Sequence, residues 1–219
     1  MSVSADADAQ QDARVSARPV VTRRRGAALV SAIHTAALEE VAEVGFEAAT
    51  MESIAARASA GKASLYKRWA SMDALVLDAL SALDDPLTDL REQYEEAEHV
   101  DVREALVDVF ARYAAGFDTA TGKALRSLMT SRDRHPELYE QVFALTVGSR
   151  QRLTRLVLDH ACADGQIDAS RVTSWTIGAG PRLLIAQHME RGVVTRDDVE
   201  AVVDQIVLPS LGWSLSRRP

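Results

Sequence analysis

Cysteine is almost absent: Cys162 is the only one in 219 residues. An internal disulfide framework is thereby excluded, and a reducing cytoplasm is the expected setting. The thiol reads as a small buried hydrophobe near a helix end. Aromatic residues are scarce, at 5%, while alanine and leucine abound, a bias toward helix. No apolar run reaches the roughly 20 residues needed to span a bilayer. Met1 to Val20 has no apolar stretch of the kind a secretory signal carries, so no membrane partner is expected. Period-two alternation is also missing, which leaves no convincing strand.

The signatures of catalysis are missing as well. The five histidines, at 34, 99, 135, 160 and 188, never fall four apart. There is no Cys-x-x-Cys, no glycine-rich phosphate loop and no Gly-x-Ser-x-Gly. Asp84-Asp85 and Asp197-Asp198 are adjacent pairs that cannot share a helix face, so solvated caps suit them better than metal ligation. No enzyme, no metal and no cofactor is expected.

What the chain does have is an uneven distribution of charge. Its net charge is −7. Between Arg14 and Met72, however, nine basic residues face five glutamates, a surplus of four, so the remainder carries −11. A basic module on an acidic body is the footprint of a nucleic-acid reader with a second task. The densest part is Ser53 to Trp69, with four basic residues and no acid.

The periodicity predicts an all-α fold of about nine helices. Residues 1–22 read as a disordered tail, 23–71 as a helix-turn-helix domain and 72–219 as a helical dimerisation and ligand domain. Leu29, Ile33, Ala36, Val41 and Val44 mark one face of the first helix. Gly45 is a left-handed stop, with Phe46 set to pack back. Thr50 is an N-cap, with Glu52 in the first turn of the second helix. Ser59-Ala60-Gly61 makes the turn, and Lys62–Trp69 forms the third helix. Leu65 and Trp69 should face inward onto Ile54, leaving Lys62, Tyr66 and Lys67 outside. After Ser71, a further N-cap, Leu75, Ala79, Leu80 and Leu83 form a stripe. Helices are then predicted over 87–97, 101–117, 121–133, 135–163, 170–191 and 196–211.

Such a module presents one helix to a polyanion. Lys62 can reach a base edge or a phosphate. Ser64 and Tyr66 offer hydroxyls, and Lys67 and Arg68 supply charge. Thr50 and the positive end of its helix suit a phosphate. Two readings of Arg23–Arg25 stand side by side: an arm on the minor groove or backbone, in which Arg24 and Arg25 would touch DNA, and a plain solvated charge run.

Gly45-Phe46, Thr50, Ile54-Ala55 and Lys62-Ala63-Ser64-Leu65-Tyr66-Lys67-Arg68-Trp69 together resemble the DNA-binding domain of tetracycline-repressor (TetR) family transcriptional regulators. The resemblance covers about residues 25–80. It implies a repressor that binds a palindromic operator as a homodimer and is released by a small-molecule effector. It also supports the same DNA-facing set, Ala63 included. Two departures stand out: Ser59 occupies a turn position where the family has glycine, and Met72 sits where the family has a lysine.

For the dimer, the resemblance implies a seam from the last two helices of each subunit. Val199, Val202, Val203 and Ile206 form a stripe on the last helix, and Gly178 to Gly180 would permit close approach on the one before. The other reading is that this stripe packs only within its own subunit. For the effector, Phe110, Tyr113, Phe117, Met129, Tyr139, Phe143 and Trp175 either wall a pocket or fill the core, with Arg182, Gln187 and His188 as polar neighbours. A different class of function also stands: an all-helical small-molecule carrier or protein-interaction module whose basic stretch is incidental.

Overall fold

The structure, a computed structural model, describes residues 20–213, and side chains over 26–213. Arg23, Arg24 and Arg25 belong to the first helix, but their side chains lie outside the described residues, as does the expected tail up to Pro19. Ten helices and no strands make up the described chain. They are α1 (Val20–Val44), α2 (Met51–Arg57), α3 (Lys62–Tyr66), α4 (Met72–Ser81), α5 (Thr88–Glu96), α6 (Val102–Ala115), α7 (Ala120–Thr130), α8 (Pro136–Ala163), α9 (Ser174–Arg191) and α10 (196–210). None of the described helices is long and apolar enough to cross a membrane.

The caps follow from side-chain chemistry. Thr50 and Ser53 form a reciprocal capping box on α2: the Thr50 hydroxyl accepts from the Ser53 N–H at 3.0 Å, and the Thr50 N–H donates to the Ser53 hydroxyl at 3.1 Å. Ser71 caps α4, as expected, by accepting from the Ala74 N–H at 3.1 Å. Gly45 ends α1 at φ +85, and Phe46 turns back into the core, its N–H held by the Ser127 hydroxyl at 2.8 Å.

Some boundaries differ from the sequence expectation. α1 begins at Val20 rather than 23. α3 is regular only over Lys62–Tyr66, because Ser71 already starts the next cap; the chain makes one more tight turn, with the Arg68 and Trp69 N–H groups both donating to the Leu65 carbonyl. The expected start of the penultimate helix, Ser170, lies in a separate 3₁₀ turn at Ala169–Arg171. α10 is α-helical over Arg196–Val202, π-helical over Val203–Val207 and α-helical again at Leu208–Ser210. Pro209 has no N–H to give to Gln205, a standard cause of such a disturbance. Val44 and Leu83, expected on inner faces, are exposed.

Three apolar clusters organise the packing. The first joins Ile33 and Ala37 of α1 to Ile54, Leu65, Trp69 and Leu75, and it fixes the helix-turn-helix. Leu65 is fully buried there, a contribution of about 2 kcal/mol. The second joins Leu38, Val41 and Phe46 to Val76 of α4, Leu128 of α7 and Val142 of α8. The largest lies in the body, around Phe110, Leu153, Leu158, Leu184, Val203 and Leu208. The middle cluster makes α1 a shared element: its first half belongs to the helix-turn-helix unit and its second half packs on the body.

α6 and α9 cross closely. A Cβ on Gly180 would run into the Phe110 ring. Of the small residues of α9, Gly180 serves this crossing within the chain. Gly178 is buried, and its bare backbone leaves room for the Arg182 side chain, whose guanidinium lies 5.6 Å from the centre of the Trp175 ring.

Candidate functional site

The turn between α2 and α3 is a Schellman closure. The Ala60 N–H donates to the Ala55 carbonyl at 2.9 Å and the Ser59 N–H to the Ala56 carbonyl at 3.1 Å. The left-handed slot of this motif falls on Ser59, at φ +50. Glycine usually fills that slot, because a Cβ there costs energy. Serine therefore keeps the turn type and carries the strain.

The second element of the module is rigidly seated. Trp69 is buried, and its indole N–H donates to Asp78 at 2.9 Å, with the His34 ring tilted against it at 5.6 Å. Arg57, counted among the basic residues of the stretch, turns away from the exposed face. It forms ion pairs with Glu40 at 2.8 Å, Glu43 and Glu39, all on α1. The Ser53 hydroxyl and Arg57 hold the buried Glu40 carboxyl below its usual range. Arg57 is thus a clamp between α1 and α2, a role the sequence alone did not suggest.

What remains on the outer face is a compact set. Tyr66 is 52% exposed, and Lys62, Ala63, Lys67 and Arg68 are exposed, with Ser64 half-buried beside them. Thr50 lies exposed at the start of α2. Among the described residues, no carboxylate lies within ion-pair distance of Lys67 or Arg68. Lys62 differs: Glu52 sits 3.4 Å from its ammonium and also accepts from the Tyr66 hydroxyl at 3.3 Å. The Glu52 carboxyl is held below its usual range by its own backbone N–H and then by Lys62. Glu52, expected only to complement the helix end, therefore orders two residues of the outer face. Met72 opens α4 and packs half-buried between the first and second clusters, away from any lysine-like contact.

The second feature is a cavity between α6, α7, α8 and α9, about 80 Å³ in volume, walled by Tyr113, Phe117, Leu125, Met129 and Ile185. An open chamber of about 530 Å³ adjoins it, reaching Asp85, Arg91 and Ser149, and the two share Leu125, Thr146 and Arg150. Three expected pocket residues, Tyr113, Phe117 and Met129, do line the cavity. The others lie elsewhere. Phe110 is core. Tyr139 and Phe143 stack on each other at 5.9 Å, with Arg132 over Tyr139. Trp175 is 77% exposed on the surface of α9. Of the expected polar neighbours only His188 reaches the cavity, its ring against Phe117 at 5.1 Å. Gln187 donates instead to Asp198. Arg126 and Arg150 were missed, because nothing in the spacing of charged residues along α7 and α8 marks which of them turn inward.

The last helix also departs from expectation. Val199 and Val203 are buried in the body core of their own chain, and Val202 is half-buried. Only Ile206 of that set is exposed, at 47%. The apolar groups that α9 leaves uncovered are Trp175, Leu183 and Met189, the last 73% exposed.

A helix-turn-helix with an outward cationic face, set on a larger helical body that encloses a cavity, defines a class: helical DNA-binding regulators. The family model for bacterial regulatory proteins of the tetR family matches residues 33–79, and that for tetracyclin repressor-like C-terminal domains matches 96–206. The chain belongs to the TetR family and is a helix-turn-helix transcriptional regulator. It is similar to an uncharacterised HTH-type transcriptional regulator of Mycobacterium tuberculosis, 27% identical over 174 residues that cover 77% of this chain and 81% of the relative. A solved protein of Mesorhizobium loti assigned to the same family matches its fold at a TM-score of 0.68, with 21% identity over 86% of this chain and 97% of that one. The transcriptional regulator FadR from Bacillus subtilis, solved in complex with stearoyl-CoA, matches at 0.62, with 16% identity over 82% and 96% of the two chains.

Proposed function

We propose that the chain is a repressor that binds a palindromic operator as a homodimer in the cytoplasm and leaves it when a small molecule occupies the cavity, with no catalytic step. The observation that carries the DNA reading is the outward set Tyr66, Lys67 and Arg68 beside the capped start of α2. Lys67 and Arg68 neutralise phosphates. Tyr66, Lys62 and Ala63 lie where a helix in the major groove meets base edges. The bound acyl-CoA of the Bacillus subtilis protein supports an effector in this fold.

For the dimer, the exposed apolar groups of α9 and α10, Trp175, Leu183, Met189 and Ile206, are the surface we assign to a second copy. They replace Val199 and Val203 of the sequence expectation. Coupling runs through α7. One face, with Leu125 and Met129, walls the cavity; the other, with Leu128 and Ser127, grips Val41 and Phe46 at the end of α1. An effector that displaces α7 thereby moves the helix-turn-helix. To shift an operator-bound population from 99:1 to 1:99, it must favour the released state by about 5.5 kcal/mol.

Selection of bound fragments from the source genome tests this reading. Enrichment of a two-fold symmetric site, lost in Tyr66→Ala, is the expected result. No enrichment over random fragments would favour a carrier or interaction module instead.

A further inference from the structure

The cavity wall carries two arginines, Arg126 and Arg150, and among the described residues neither has a carboxylate partner; Arg126 donates to the Phe117 carbonyl at 2.6 Å. Arg150 stands at the border between the apolar pouch and the open chamber. Its guanidinium lies 4.8 Å from the centre of the Tyr113 ring, and its hydrogen bond is a long one, to the Thr146 carbonyl at 3.4 Å. Among the described residues, no carboxylate lies within ion-pair distance of it. The nearby acid, Asp85, is already engaged: it accepts from Arg91 at 3.1 Å, from the Ser149 hydroxyl at 2.9 Å and from the Leu87 N–H at 3.0 Å. Burial also pushes the Arg150 guanidinium below its usual range, the mark of a charge held at a cost. Arginines inside proteins are normally paired. This one is set over an aromatic face, at the mouth of an apolar space.

We infer that the effector is an organic monoanion, a carboxylic acid whose carboxylate pairs with Arg150 while a short apolar tail enters the pouch; this rests on the reading of the cavity as the effector site. A planar guanidinium receives a carboxylate through two parallel hydrogen bonds. The pouch, about 80 Å³, is roughly half the size of a cavity of about 150 Å³ that accepts benzene, so it takes a tail of only a few carbons. Phe117, Leu125, Met129 and Ile185 supply its apolar wall. Any further part of the ligand extends into the open chamber.

The test uses the full chain and three matched probes: hexanoate, its neutral counterpart hexanamide, and hexyl phosphate. Calorimetry should give hexanoate binding at least tenfold tighter than either of the other two. Arg150→Met should abolish that preference and, by removing an unpaired half-buried charge, raise the ligand-free melting temperature. A purely structural arginine would instead lower it when replaced. Met129→Trp, which fills the pouch, should weaken hexanoate without equalising the probes. Equal binding of hexanoate and hexanamide, or preference for the phosphate, overturns the inference. So does failure of any straight-chain acid from butanoate to octanoate to bind. Hexanoate binding that leaves operator occupancy unchanged would overturn the release mechanism and not the ligand class. Operator binding without any acid binding would do the reverse.

Discussion

Ser59 and Arg57 carry the sharpest expectations at the level of single residues. Ser59 holds a left-handed conformation that glycine takes without penalty. Ser59→Gly should therefore stabilise the chain by about 0.5–1 kcal/mol, after the larger chain entropy of glycine is subtracted. A rise of about 1–4 °C in melting temperature is the readout for a chain of this size. No change, or a fall, would mean that the serine is not strained. Arg57→Ala leaves the Glu40 carboxyl buried beside two other acids, so the melting temperature should fall at neutral pH. The pH dependence has a fixed sign. Glu40 is held below its ordinary value of 4.5, so the unfolded chain takes up the proton first as pH falls. The contribution of the clamp is complete above that value and is lost as acid carries the pH down through the folded value. The deficit of Arg57→Ala should shrink in the same direction. The strain at Ser59 was legible, because a turn position and its neighbours suffice to place it. The inward turn of Arg57 was not, because it depends on three glutamates a helix away.

Among the elements, α6, α9 and α10 show where periodicity helps and where it misleads. It marked the apolar stripe of α10 correctly but could not say what covers it. Val199 and Val203 of that stripe are covered by the chain's own core, while Ile206 is exposed, and a single sequence cannot distinguish an intramolecular cover from an intermolecular one. The glycine-rich part of α9 was read in the same way. Within the chain, Gly180 meets the Phe110 ring, 70 residues earlier. Gly180→Ala should therefore cost about 1–3 kcal/mol by overpacking that crossing, measured by chemical denaturation. An unchanged midpoint would show that α6 and α9 can part without penalty. The caps were legible because they are local: Thr50 and Ser71 act on residues three positions away. The cavity was only partly legible. Tyr113, Phe117 and Met129 converge, but Trp175, Tyr139 and Phe143 do not, since an aromatic side chain announces apolar surface and not its destination.

On the scale of the whole molecule, an acidic body carries a small basic face, and the two meet through α1 and α7. In the proposed dimer, the exposed groups of α9 and α10 form the seam. Leu183→Asp combined with Met189→Asp should convert a dimer to a monomer in sedimentation, and a dimer that survives would place the seam elsewhere. Fold and family were legible because the helix-turn-helix is a local motif with its signals in register. The effector and the operator were not, since neither leaves a pattern along the chain. The claim on which all else depends is that the outward face around α3 grips DNA. It is tested most directly by titrating a selected operator fragment with the chain and with Lys67→Ala over a range of salt concentrations. If each subunit of a dimer loses one phosphate contact, the slope of log affinity against log salt should become shallower by about two, with specificity largely kept. An unchanged slope and affinity in Lys67→Ala would contradict the account.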